Sequence, residues 1–337
     1  MIIILKSGSS QTEAQDILDH IEGLGLRPLY MPGTERIVIG AIGDERVLES
    51  LHLESYPQVE RVTPILAPYK LVSREIHPHD TIVRLGHASI GGDQFAVIAG
   101  PCAVESYEQM RETAEAVKAG GATALRGGAF KPRTSPYSFQ GLGAEGLKIL
   151  QTIGRELQMP VVTEVVDIAD VEAVAQHADA LQVGARNMQN FRLLQAVAKC
   201  GKPVVLKRGI AATIQDLLLA AEYILSGGNP DVILCERGIK TFETATRNTL
   251  DLNAVPYIKQ RSHLPVIVDP SHGSGLRDLV APMSRAAVGC GADGIMVEVH
   301  RDPAHALSDG QQSLHPTEFT KLMRELRPFV EASGKSL

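Results

Sequence analysis

The sequence predicts an α/β protein, a (β/α)8 TIM barrel with a small N-terminal ferredoxin-like βαββαβ domain. Three observations carry that expectation. From residue 95 onward, short apolar runs alternate with helix-length amphipathic stretches, as parallel strands joined by crossover helices require. Each apolar run is followed closely by a polar residue. The residues ahead of them follow a different order of short elements. With 337 residues the chain exceeds the roughly 250 at which a single hydrophobic core stops growing, so a barrel plus an added unit is the expected division.

In the first unit, expected over residues 1–66, Ile2 to Leu5 reads as a strand. Ala14, Ile17, Leu18, Ile21 and Leu24 fall on one face of a helix that Gly25 stops. Leu29 to Met31 and the β-branched run Arg36 to Ile42 read as strands, Asp44 to Ser50 as a short helix and Val59 to Ile65 as the last strand. The resulting order is that of the split βαβ arrangement. Residues 67–94 are expected to form a linker and a barrel-capping hairpin. Pro64, Pro68, Pro78 and the polar run Ser73 to Asp80 mark the linker, and the hairpin runs from Ile82 to Gln94 with its turn at Gly91-Gly92.

Over residues 95–337, strands are expected at Phe95–Ile98, Ala124–Gly127, Val161–Glu164, Ala180–Val183, Pro203–Lys207, Val232–Glu236, Val266–Asp269 and Gly294–Glu298. Such a count in this length suits a barrel of about 250 residues. A doubly wound open sheet shows the same alternation, so the strand ends sharpen the choice. Behind the runs stand Cys102, Arg126, Glu164, Arg186, Lys207, Arg237, His272 and Glu298. A barrel gathers such positions at one mouth, where these folds place their sites.

Composition removes several function classes. The chain has 33 Lys plus Arg against 39 Asp plus Glu, a net charge of −6, no Trp and only seven Tyr and seven Phe. That gives no basic stripe with stacking rings for nucleic acid. No run approaches the ~18 uncharged apolar residues of a membrane span, and Met1 to Lys6 lacks the build of a signal peptide. Cys102, Cys200, Cys235 and Cys290 lie far apart in a chain too long to need stapling, so a reduced cytoplasmic setting is expected.

Two constellations carry chemistry. Cys102, His272, Glu298 and Asp309 would bring one thiolate, one imidazole and two carboxylates to a single mouth. Singly each has a bland reading, a small buried Cys or an Asp in a turn. Together they suit a divalent transition metal, with Mn, Fe, Co and Zn all open. The second constellation is cationic: Arg126, Lys131, Arg133, Arg186, Lys207, Arg208 and Arg237 lie on barrel-end loops of a net-acidic chain. So many like charges at one mouth imply a strongly anionic substrate, with Arg suited to bidentate grips and Lys to point-charge contact.

The segments GPCAVES from Gly100, LRGGAFKPRTSP from Leu125, VGARNMQN from Val183, LKRG from Leu206, CERG from Cys235, DPSHGSG from Asp269 and MVEVHRDP from Met296 resemble the 3-deoxy-D-arabino-heptulosonate 7-phosphate (DAHP) synthases. The likeness extends over the whole chain. Its N-terminal unit resembles the regulatory domain of the type I beta-like subtype. The resemblance implies condensation of phosphoenolpyruvate with erythrose 4-phosphate at the entry to the shikimate pathway. It implies a metal on Cys102, His272, Glu298 and Asp309. Arg126, Lys131, Arg186, Lys207 and Arg237 would hold phosphoenolpyruvate, while Lys131, Arg133 and Thr134 would face the aldose phosphate. Glu164 and Asp269 resemble positions lining the site. Cys102, His272 and Lys131 are the expected catalytic residues, with the proton carried by Lys131 or by a water at the metal. Feedback inhibition by Tyr or Phe and a homotetramer are also implied. If the metal site gives Cys102 thiolate character, that residue is expected to oxidise readily once metal is removed.

Three rivals remain at this level. The sister 3-deoxy-D-manno-octulosonate 8-phosphate synthase shares the barrel, but the run Lys131 to Thr134 and the N-terminal unit favour the heptulosonate enzyme. A metal-dependent aldolase would cleave a ketose phosphate without phosphoenolpyruvate. A non-catalytic sensor of an anionic metabolite would use the cations but has no need of four metal ligands.

Overall fold

A computed structural model of the chain describes residues 1–33, 36–44, 47, 52–63, 67–133 and 135–337. It divides into two compact units, Met1–Pro78 and His79–Leu337.

The first unit is an antiparallel sheet in the order β2-β3-β1-β4, formed by β1 (Ile2–Leu5), β2 (Arg27–Pro32), β3 (Ile37–Ile42) and β4 (Val59–Thr63). Helix α1 (Gln11–Gly23) begins with a Ser10–Glu13 capping box, which satisfies two otherwise orphaned N–H groups. Ala14, Ile17 and Ile21 turn one face of α1 onto Ile3, Leu5, Ile39 and Ala41 of the sheet. Leu24, expected on that face, lies past the helix end and is exposed. The expected helix Asp44 to Ser50 and the end of the expected strand at Ile65 lie largely outside the described residues.

The second unit is a closed barrel of eight parallel strands. They are β7 (Ala96–Gly100), β8 (Ala124–Arg126), β9 (Val161–Val165), β10 (Ala180–Val183), β11 (Val204–Lys207), β12 (Val232–Glu236), β13 (Val266–Val268) and β14 (Gly294–Glu298). Closure comes from β14 pairing with β7, from Gly294 opposite Ala96 to Glu298 opposite Gly100. Strand periodicity then fixes what fills the interior. Ala96, Ile98, Ala124, Val162, Ala180, Val205, Ile233, Cys235, Ile267 and Met296 form its apolar core. Two residues further along the same faces stand Arg126, Glu164, Gln182, Lys207, Arg237, Asp269 and Glu298. In seven of the eight strands a single inward face therefore runs from apolar packing into a polar, mostly charged layer at the C-terminal end.

The floor of the barrel is covered by a hairpin of β5 (Val83–Leu85) and β6 (Ala88–Ile90), whose Val83, Leu85 and Ile90 join the apolar core. The sequence suggested a turn at Gly91-Gly92. Pairing of Val83 with Ile90 and Leu85 with Ala88 instead places it at Gly86-His87, with Gly86 at φ 56 as a two-residue hairpin loop favours. Core burial of the three apolar residues sets this register, and Gly91 makes only an isolated bridge to Gln94.

Arg208 departs from the sequence expectation for the same periodic reason. Lys207 faces the barrel interior, so its neighbour faces outward. There Arg208 is buried, donating to Glu236 at 2.8 Å and to Asp251 at 2.9 Å. Burial pushes the Glu236 carboxyl up despite the Arg208 guanidinium beside it. Arg208→Met is expected to destabilise the fold by about 3–5 kcal/mol at neutral pH, because a buried carboxylate loses its counter-charge. In that variant native Glu236 would bind a proton more tightly than the unfolded chain does. Stability would then rise as pH falls, and the deficit measured by urea unfolding should shrink between about pH 7 and about pH 5.

Candidate active site at the barrel mouth

The charged layer opens into a cavity of about 330 Å3. Its wall includes Arg126, Lys131, Arg133, Arg186, Lys207 and Arg237, together with Glu164, His272 and Asp309. Cys102 and Glu298 lie buried beside His272 and Asp309. Thr134 lies outside the described residues.

One side of the mouth holds the possible metal ligands. Ligand atoms of Cys102, Glu298 and Asp309 all lie within 4.8 Å of one another. His272 Nε2 stands 3.3 Å from Glu298 Oε1 and 3.7 Å from Asp309 Oδ2, while Cys102 Sγ is 3.3 Å from Asp309 Oδ2. A soft sulfur and two carboxylates gathered this closely, with an imidazole nitrogen beside the carboxylates, have the donor chemistry that suits a divalent transition ion.

His272 is oriented from behind. Asp269 caps the short helix Pro270–Ser274 by accepting from the His272 backbone N–H at 2.9 Å, and it meets the ring Nδ1 at 2.7 Å. An Nδ1–H donated to Asp269 leaves the Nε2 lone pair facing the cluster, as ligating histidines require. Burial holds the His272 ring below its usual range, favouring the neutral form. Burial works against charge on Asp269, yet His272 and Lys207 hold its carboxyl well below the usual range. For Glu298, burial works against charge, and the Arg126 guanidinium that donates to it helps bring the carboxyl down to about 2.

The burial of Cys102 runs against the expectation that it oxidises readily once metal is removed. Its side chain is 1% exposed, and burial, reinforced by the Glu298 charge, pushes the thiol up to about 12. Without a cation it is a shielded, protonated thiol. Alkylation of chelated protein at neutral pH should therefore be slow, which a thiol-labelling time course followed by peptide mapping checks.

The cations divide into two groups. Arg126 donates to Glu298 at 2.7 Å, and Lys207 is paired with Asp269. Lys131 donates to the Cys102 carbonyl at 3.0 Å, Arg133 donates to the Ser308 hydroxyl, and Arg237 donates to the Gly238 carbonyl at 3.3 Å. Among the described residues, Lys131, Arg133, Arg186 and Arg237 make no ion pair. Four cations in one cavity without a carboxylate partner are arranged for an anion with several charged oxygens.

Sequence reasoning missed three polar groups here. Gln182 and Arg247 line the cavity, and Ser308 sits 3.2 Å from Cys102 Sγ. Gln182 donates to Glu164 at 3.2 Å. It was visible as a Gln inside an otherwise apolar strand. Arg247 sits in the middle of a long loop, where no strand end announces it.

In comparison with known proteins, residues 76–332 match the DAHP synthetase I family and residues 1–67 match the DAHP synthase ferredoxin-like domain. The chain belongs to the DAHP synthetase I family. It is an enzyme of the DAHP synthase class. A phospho-2-dehydro-3-deoxyheptonate aldolase of Thermotoga maritima is 52% identical over 334 residues, covering 99% of both chains. The crystal structure of phospho-2-dehydro-3-deoxyheptonate aldolase (DAHP synthase) from Thermotoga maritima superposes with a TM-score of 0.80 at 51% identity, covering 99% of this chain and 98% of that one. A 2-dehydro-3-deoxyphosphooctonate aldolase of Nitrobacter hamburgensis is 35% identical over 74% of this chain and 92% of its own length. The DAHP synthase likeness thus includes the N-terminal unit. No described helix is long and apolar enough to cross a membrane, and all four cysteines are free thiols.

Proposed function

We propose that the mouth condenses phosphoenolpyruvate with D-erythrose 4-phosphate and water to give DAHP and phosphate, the first step of the shikimate pathway, with a divalent metal (Mn, Fe, Co or Zn) on Cys102, His272, Glu298 and Asp309. The observation that carries the reading is a cavity lined by four cations without a carboxylate partner, with the cluster of Cys102, Glu298 and Asp309 and the adjacent His272 at its edge. A divalent metal held by these residues would supply Lewis acidity for the aldehyde carbonyl. Arg186, Arg237, Lys207, Lys131 and Arg126 hold the phosphate and carboxylate of phosphoenolpyruvate, while Arg133 and Lys131 face the aldose phosphate.

The methylene carbon of phosphoenolpyruvate attacks the aldehyde carbon, forming the new C–C bond. Water adds to the former enol carbon, and the C–O bond to phosphate then breaks to leave the ketone. Of the two protons lost by water, one goes to the oxygen of the former aldehyde and the other to the departing phosphate. Cations already aimed at phosphate and carboxylate stabilise the tetrahedral species without reorganising. Burial opposes charge on Lys131, yet its ammonium is held above its ordinary range, with the Glu164 carboxylate among the groups that favour it. Lys131 Nζ or a water at the metal carries the proton to the oxygen of the former aldehyde. Glu164 lines the substrate cavity from the strand side.

The N-terminal unit is read as the site of feedback inhibition by Tyr or Phe, and the assembly as a homotetramer. The match of residues 1–67 to the ferredoxin-like domain of these synthases supports a regulatory duty. Deleting residues 1–66 should retain phosphate release and abolish inhibition by both amino acids. Intact inhibition in the deletion protein would end that assignment.

The whole reading is tested by phosphate release from phosphoenolpyruvate with erythrose 4-phosphate or arabinose 5-phosphate, with and without chelator. Turnover confined to erythrose 4-phosphate and lost on chelation is expected. Preference for arabinose 5-phosphate would transfer the chain to the octulosonate reaction.

A further inference from the structure

The two carboxylates of the proposed metal cluster each use one oxygen toward the cluster and one away from it. Asp309 directs Oδ2 at Cys102 Sγ and His272 Nε2, at 3.3 and 3.7 Å. Its Oδ1 is 3.4 Å from Arg247 Nη1. Glu298 directs Oε1 at His272 Nε2, where it also accepts from Arg126, and its Oε2 accepts from Gln312 Nε2 at 2.6 Å. Gln312 in turn accepts from Arg247 Nη1 at 2.9 Å. One guanidinium thus reaches the outer oxygen of Asp309 directly and that of Glu298 through Gln312.

The backbone around Arg247 is held to the segment that carries the histidine. Its N–H donates to the Ser274 carbonyl at 2.8 Å, and the adjacent Asn248 side chain donates to the His272 carbonyl at 2.8 Å. Gly275, at φ 73, leaves room for this strap, because a Cβ there would come within 2.4 Å of Arg247 Cβ. Asp309 itself has φ 54, a left-handed conformation that Asp adopts more readily than most residues.

We infer that Arg247 is a positioning residue for the metal ligands, a clamp that fixes Asp309 and, through Gln312, Glu298 with one oxygen each toward the cation. This rests on the proposed metal site and assigns Arg247 no direct contact with substrate. Arg247 thus ties the helix Pro270–Ser274 through its backbone N–H, and the Ser308–Asp309 loop and, by way of Gln312, the end of β14 through its side chain. Ligand orientation of this kind is worth roughly 10–100-fold in metal affinity.

The test is a Co2+ titration of full-length, metal-stripped protein, following the thiolate-to-cobalt absorption band, for the wild type and the Arg247→Met, Arg247→Lys, Gln312→Leu and Cys102→Ser variants. Wild type should show the band and Cys102→Ser should lose it. Arg247→Met should weaken Co2+ binding roughly 10–100-fold, with Arg247→Lys and Gln312→Leu intermediate. Near-UV circular dichroism of each metal-free variant should match wild type. Absence of the band in wild type would remove the metal site and the clamp with it. A wild-type band together with unchanged affinity in Arg247→Met would overturn the clamp alone. So would a raised KM for erythrose 4-phosphate at unchanged Co2+ affinity, since that result makes Arg247 a substrate contact.

Discussion

Replacing Cys102 by alanine is expected to lower metal-dependent kcat/KM by roughly 10^3-fold or more, the rate equivalent of losing several kcal/mol of Lewis-acid stabilisation. The fold should survive. Cys102 is a small buried side chain, and alanine keeps its Cβ while removing one sulfur from a polar pocket shared with Ser308 and Asp309. His272→Ala should match it in activity, yet it also removes a partner from Asp269 and Glu298. Phosphate-release kinetics, elemental analysis for bound metal and near-UV circular dichroism separate the three effects. Full turnover in protein stripped of metal would refute the assignment of the cluster.

Most of the architecture could be read from the chain because barrels make the same demand eight times. Runs such as Ala180 to Val183 and Gly294 to Glu298 agree with the observed strands at both ends. The charged layer was readable too, though strand ends are a blunter guide than strand parity. Had the inward face been followed from Val205 through Lys207, Arg208 would have been placed outside the barrel, against Glu236. Parity would also have selected Gln182, which continues the face of Ala180. The hairpin turn was misplaced because two adjacent glycines are a strong local signal, and long-range burial of Val83, Leu85 and Ile90 outweighs it. Arg247 belongs to a different kind of miss. Its place depends on a loop crossing a helix from another repeat, and nothing local to its sequence records that approach.

Lys207→Met is expected to produce two losses at once. Lys207 and Asp269 are both buried, so removing the ammonium leaves Asp269 inside the barrel supported by His272 and its backbone N–H. An uncompensated buried charge of this kind costs about 3–5 kcal/mol of stability. Asp269→Asn in the same protein removes that charge, so the double variant should be less destabilised than the two single losses summed, as contacting residues require. The activity loss should persist in the double variant, because Lys207 also lines the cavity and is read as a phosphoenolpyruvate contact. A fall of roughly 10^2–10^3-fold in kcat/KM is expected for the missing preorganised cation. Arg208→Met is the internal control. It removes a cation one residue away on the opposite face of the strand, so it should cost comparable stability while leaving the KM for phosphoenolpyruvate near wild type. Urea unfolding and steady-state kinetics on the same preparations make the comparison. An equal rise in KM for both variants would show that neither face of the strand is specific to substrate, and Lys207 would lose its proposed role.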